Sequence, residues 1–205
     1  LTDLMGTKSW KLMYVPNYYH LEERRKIIKP TECLRIGCFG AMRPMKNHLQ
    51  QAIAAIQIGE EFGLPIEFHI NATRVENGGD AVLSNLRGLF GGRADRLVEH
   101  SWMDHKDFLK VCATMDLGMQ CSLTETFNVV SADMVSRWVP VVGSSIPWLP
   151  WLCTANPKEV DSIVDTGITA LNLSKWGIPQ RLALRKLKKH NAQAESIWVK
   201  TIETV

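Results

Sequence analysis

Apolar and polar positions alternate along the chain in two rhythms. Short apolar runs are followed by longer stretches in which apolar residues recur at helical spacing. Leu34 to Phe39 reads as a buried strand, and a turn over Gly40 to Pro44 follows it. His48 to Phe62 then carries Leu49, Ile53, Ile56, Ile58 and Phe62 on helical spacing, and Gly63-Leu64-Pro65 stops the helix. The same reading predicts strands over residues 66–70, 97–102, 117–121 and 139–143, with Pro140 tolerable near the start of its strand. It predicts helices over 80–89, 106–113 and 127–138. After Asn156-Pro157, a pair suited to a helix start, the pattern is helical to about Leu171, and again from Ile178-Pro179 toward the end.

Strands alternating with helices of this length make βαβ units. The expected fold class is α/β: a doubly wound, Rossmann-like parallel sheet with helices on both faces and a C-terminal helical tail. Residues 1–30 read as an entry segment, with a strand over 10–15, a turn at Pro16-Asn17 and a short charged helix over 21–28. Residues 31–155 form the core, and residues 156–205 are helices of the same domain. Ligands of such sheets sit at the carboxyl ends of the strands. The loops after Phe39, Ile70, Trp102, Cys121 and Gly143 are therefore the places to look.

Composition narrows the classes. The chain has 205 residues, 45% hydrophobic and 22% charged, enough for one domain with a sizeable core. A net charge of +3 is too small to argue for nucleic acid. Five scattered cysteines without a CxxC pair read as reduced, mostly buried thiols of a cytoplasmic protein. No apolar run approaches the roughly 18 residues of a membrane span, and no signal segment opens the chain. The sequons at Asn71 and Asn172 then read as chance. Six histidines show no metal-ligand spacing, and no Ser/His/Asp or Cys/His signature is legible. Between Arg181 and His190, Leu182, Leu184 and Leu187 sit among five cations. That run suits either a peripheral contact with an anionic membrane surface or, preferably, a solvated helix face. Trp148 and Trp151 read as packing residues before cleft residues.

Two segments carry candidate chemistry. In Ser122 to Asp133 a strand ends, a polar loop follows and a helix opens near Asn128. Free N–H groups and the positive dipole end of that helix suit an anionic or hydroxyl-rich ligand. Glu125 stands at its mouth, and Asp133 lies eight residues on, about 12 Å at ~1.5 Å per residue. Two acids so placed would hold two separate polyol groups, such as a sugar and a ribose joined by a diphosphate. On spacing alone, an acid favourable to the helix dipole plus a solvated Asp is the preferred account. The second segment is Gly40 to Asn47, where Gly40 permits a tight turn and Arg43 and Lys46 put two cations where a diphosphate would lie. It matches neither GxGxxG nor a P-loop. Alone it reads as a solvated basic loop.

Together the two segments resemble the C-terminal, donor-binding lobe of the group 1 (family 4-like) retaining glycosyltransferases of the GT-B fold. That family carries a glycine–arginine turn and a lysine after its first main strand. A Glu-x7-Glu motif written around E-G-F-G comes later, followed by a P-V-V strand. Lys46 falls on the lysine, Glu125 and Phe127 on the motif, Asp133 on its second acid, and Pro140-Val141-Val142 on the P-V-V. Met115-Asp116 resembles the A-D before the motif, and Val15-Pro16-Asn17 the P-N-G turn joining the two lobes. The resemblance covers about residues 11–170. It departs from the family at Ala41, where the arginine is usual, at Thr126 and Asn128, where glycines are usual, and at Asp133, which is shorter than Glu. Arg137-Trp138 replaces small residues, and the turn after the strand lacks its glycines.

The resemblance implies roles. Gly40 would give the turn, and Lys46 with Arg43 would neutralise a diphosphate. Glu125 would hold sugar hydroxyls, and the backbone of Thr126, Phe127, Asn128 and Val129 would meet sugar and phosphate. Asp133 would accept from the ribose, with Trp102 and Met103 beside the base. Neither a metal nor any other cofactor is needed. The expected function is binding of a nucleotide-diphosphate sugar for transfer to an acceptor. That acceptor would be held by an N-terminal lobe missing from this chain or carried on another, so the isolated lobe would be inactive. Two observations point the same way: the chain begins at Leu1, not Met, and Pro16-Asn17 leaves little chain before it. The alternatives are a degenerate, non-catalytic GT-B-like binding module and, less favoured, a sugar-nucleotide epimerase-like or phosphorylase-like protein.

Overall fold

The computed structural model describes residues 15–22 and 32–203. In chain order the elements are β1 (Leu34–Gly37), α1 (His48–Phe62), β2 (Ile66–Asn71), α2 (Gly79–Phe90), β3 (Arg96–His100) and α3 (His105–Cys112). They continue as β4 (Leu117–Gln120), α4 (Val129–Ser136), β5 (Val141–Gly143), α5 (Val160–Ser174) and α6 (Ile178–Glu203). Short 3-10 turns cover Pro44–Lys46 and Trp151–Cys153.

All the pairings are parallel, in the order β3-β2-β1-β4-β5. Parallel strands covered on both faces read as continuous apolar runs, which is why the inner strands were legible. Every residue of β4 and β5 is buried, whereas the edge strand β3 is largely open. One core, including Ile36, Ile58, Phe68, Leu86 and Ile163, lies beneath α1, α2 and α5. The other, including Phe39, Met134, Trp148 and Leu187, lies beneath α3, α4 and α6. Strand order reverses between β1 and β4, so the crevice at their carboxyl ends is the switch point of the sheet. The helix α4 packs closely on β4, because Gly118, lacking a Cβ, makes room for the thioether of Met134.

Several boundaries differ from the sequence reading: β1 ends at Gly37, β3 at His100, and β5 starts only at Val141. The helix expected over 127–138 is shorter, since Asn128 (φ 58°) and Trp138 (φ 65°) leave helical geometry at its two ends. The helix expected from Asn156-Pro157 starts at Val160, because the Asn156 side chain accepts from Lys158 N in a local turn instead. Pro16-Asn17 forms no turn; residues 15–22 carry no regular structure and lie against α6. There Trp198 Nε1 donates to Pro16 O (3.0 Å), His190 Nε2 to Asn17 O (2.9 Å), and Asn191 bonds both N and O of Tyr19. The strand and helix expected over 10–15 and 21–28 fall outside the described residues, except for positions 15, 21 and 22.

Among the described residues no helix is long and apolar enough to cross a membrane. Leu184 and Leu187 of the basic run are buried in the second core, leaving Leu182 exposed, so α6 does not turn a leucine stripe outward. Trp148 packs as expected, at 1% exposure, but Trp151 does not: it is 82% exposed.

Candidate functional site

The switch-point crevice is built by the loops after β1 and β4. Gly40, at φ 122°, donates its N–H to Asn71 Oδ1 (2.9 Å), tying the first loop to the end of β2. A side chain there would be strained in this backbone conformation. The 3-10 turn that follows ends at Asn47, whose Nδ2 donates to Cys121 O (3.2 Å) and Pro157 O (2.7 Å). Leu123 N donates to Met45 O (2.9 Å). These bonds pin the basic turn against the loop after β4.

Lys46 therefore meets Glu125. Its Nζ lies 2.6 Å from Oε2, and the two side chains are only 18% and 14% exposed. Glu125 also accepts from Asn128 Nδ2 (3.2 Å) and Thr126 N (3.1 Å). The side chain of Asn128 in turn caps α4, accepting from Ser131 N (2.8 Å). At the start of α4 the N–H groups of Val129 and Val130 have no acceptor among the described residues, as expected of a helix's first turn. Phe127 is buried against Trp148, whose Nε1 donates to its carbonyl (2.7 Å). Thr126 is exposed on the loop.

Arg43 lies 3.7 Å from Glu76, and its buried Nε has no partner among the described residues. Arg43, Lys46, Asn77 and Thr124 line a cleft of about 360 Å³. The residues matched to a diphosphate site are thus together in one place.

A second cavity of about 370 Å³ opens at the ends of β1, β2 and β3. Gly40, Asn71, Trp102, Met103, His105 and Val130 are among its walls. Trp102 is 80% exposed, presenting an aromatic face with little covering it. Asp104 caps α3 by accepting from Asp107 N (2.8 Å), which sets His105 at the helix start on the cavity wall.

Asp133 is placed differently from Glu125. It is 2% exposed, and its Oδ1 takes hydrogen bonds from both His105 Nε2 (2.8 Å) and Tyr19 OH (2.8 Å). Burial pushes its carboxyl above the usual range, and those two hydrogen bonds pull it back. The Tyr19 phenol is pushed up by burial and by Asp133.

Sequence reasoning missed His105, Tyr19, Asn77 and Thr124. The Asp104-x-x-Asp107 cap was a usable signal for His105 at a helix start. Tyr19 had none, lying 114 residues from its partner. It also missed His69 and His100, stacked at the ends of β2 and β3 with ring nitrogens 2.9 Å apart. Burial, with help from His100, holds His69 down at about 4. Among the described residues no group of three His, Cys, Asp or Glu side chains could hold a metal ion.

No family model matches the chain, and no curated protein matches its sequence. Solved structures do match its fold. An apo structure of OtsA, a trehalose-6-phosphate synthase, aligns at a TM-score of 0.68 and 17% identity over 83% of this chain and 44% of that one. The chain has the fold of one GT-B glycosyltransferase lobe. A UDP-forming trehalose-phosphate synthase from Burkholderia xenovorans, in complex with glucose-6-phosphate, aligns at 0.68 and 14% identity over 84% and 44%. A GtfA/B complex aligns at 0.65 and 11% identity over 90% of this chain and 38% of that one. The chain therefore spans less than half the length of these GT-B structures. Its parallel sheet and closing helices fit the C-terminal lobe of that fold.

Proposed function

We propose that this GT-B lobe binds a nucleotide-diphosphate sugar and presents its glycosyl group to an acceptor held by a second lobe. The observation that carries the reading is the network of Lys46, Glu125 and Asn128 beneath the free N–H groups of α4, at the switch point of the sheet. Cations and helix-end donors converge there, the combination that receives a diphosphate. Without ligand, Lys46 is neutralised by Glu125. A diphosphate displaces that carboxylate from Nζ, and Glu125 is then free to accept from sugar hydroxyls. Lys46, with Arg43 lining the same cleft, would stabilise the negative charge that grows on the departing diphosphate. The nucleoside would extend over the second cavity, with its base against Trp102 and Met103.

The test is thermal unfolding with millimolar UDP, GDP, ADP and their glucose conjugates. A ligand at 100 times its Kd adds about 2.7 kcal/mol to stability, and Lys46→Ala should remove the shift. No shift from any of these ligands would sink the reading.

A second reading has its own observation. Thr126 and Asn128 add side chains where the resembled family has glycine, and Asn128 spends its carbonyl on capping α4. A lobe that kept the fold and lost the ligand would unfold normally and answer no nucleotide.

A further inference from the structure

We infer that His105, held in place by Asp133, meets the ribose of the bound nucleotide. The inference rests on the nucleotide-binding reading above. Asp133 is enclosed, and its Oδ1 serves two donors, which anchors the carboxylate inside the protein. His105 is the opposite: its side chain is 63% exposed and stands on the cavity wall. The carboxylate accepts from Nε2–H, which fixes the ring orientation and leaves Nδ1 as the open nitrogen. Nδ1 makes no hydrogen bond among the described residues. In the neutral ring it is an acceptor, and an acceptor suits a hydroxyl, not a phosphate oxygen.

The position agrees with the chemistry. Trp102 and Met103 stand on one part of the cavity wall, and Gly40 and Val130, beside the basic turn and the start of α4, on another. A nucleotide with its base on the first and its diphosphate at the second carries its ribose between them, on the wall that includes His105. Tyr19 is a positioning residue here, because it donates to the same carboxylate oxygen.

The experiment is calorimetric binding of UDP, GDP and ADP and of their 2′,3′-dideoxy counterparts to the whole chain. Wild type, His105→Ala and His105→Asn are compared, and thermal unfolding verifies that each variant is folded. For whichever diphosphate binds, removing the ribose hydroxyls should cost wild type about 5–10-fold, the worth of one hydrogen bond. His105→Ala should lose the same factor with the intact nucleotide and nothing more with the dideoxy form. His105→Asn should recover part of the loss, since its amide oxygen can accept near where Nδ1 stood. If His105→Ala binds the intact nucleotide as tightly as wild type and still discriminates against the dideoxy form, Asp133 or another group reads the ribose and the inference is overturned. If wild type binds no diphosphate at all, the nucleotide-binding reading falls, and this one with it.

Discussion

The two ends of the crevice each pair an acid with a nitrogen-bearing side chain, arranged in opposite senses. At the diphosphate end Lys46 and Glu125 are both mostly covered and neutralise each other. At the nucleoside end the acid alone is buried, while its imidazole partner stands open. The first pair must come apart to receive a ligand. The second can receive one as it stands, because the group facing the cavity is already oriented. A covered pair stores a competitor inside the site, whereas a half-covered pair stores a geometry.

The largest expected effect concerns acid. His48, at the diphosphate end, is buried with both ring nitrogens unpartnered among the described residues. Burial, and secondarily Lys46, hold it down at about 4. The folded protein therefore binds this proton less readily than the unfolded chain does. Stability is full above about 6.5 and is lost as pH falls from there toward 4, approaching roughly 3 kcal/mol at ~1.4 kcal/mol per pH unit. Asp133, pushed up by burial, has the opposite sign: its ionised form is penalised, and that penalty is relieved in acid. Urea unfolding between pH 7 and 4.5 should thus show a net loss that His48→Gln reduces. It should not abolish it, because His69 contributes in the same direction. An unchanged pH slope in His48→Gln would contradict this account.

Next in size is the diphosphate itself. Lys46→Ala should weaken nucleoside diphosphate binding by about 10–100-fold, the range for losing a charged hydrogen-bond donor. Titration calorimetry reads this directly, and an effect under threefold would mean that Lys46 does not touch the phosphates. Glu125→Gln should move the other way, tightening nucleoside diphosphates by a smaller factor because Lys46 is released. The same variant should lose the extra affinity that the attached sugar provides. Smallest is Tyr19→Phe, which removes one of two hydrogen bonds on Asp133. It should cost about 1 kcal/mol in unfolding and leave Lys46-dependent binding unchanged. A Tyr19→Phe variant as stable as wild type would show that the brace is slack.

The fold was legible because burial on both faces makes the inner strands continuous apolar runs, and α1 keeps its apolar spacing to the residue at which Gly63 ends it. The helix α4 was misjudged because one asparagine in left-handed geometry starts it late, and single-residue φ angles leave no apolar period. Lys46 and Glu125 were legible as a pair of segments, each following a strand of the sheet. Their 2.6 Å contact depends on Asn47 bonding the two loops together, which spacing does not reveal. Asp133 was legible as an acid on a helix but not as a buried one. Its partners are Tyr19, from a segment with no regular structure, and His105 from another helix.

The clamp between residues 16–19 and α6 has a topological consequence. Residues 16–19 and the last turns of α6 lie side by side, with Pro16 O and the Trp198 indole 3.0 Å apart. The fold is thus closed like a loop with its clasp on α6, and its order of elements need not begin at β1. A circular permutant joined across that clasp and opened at Gly91-Gly92, in the surface turn between α2 and β3, would keep every strand pairing and both ends of the crevice.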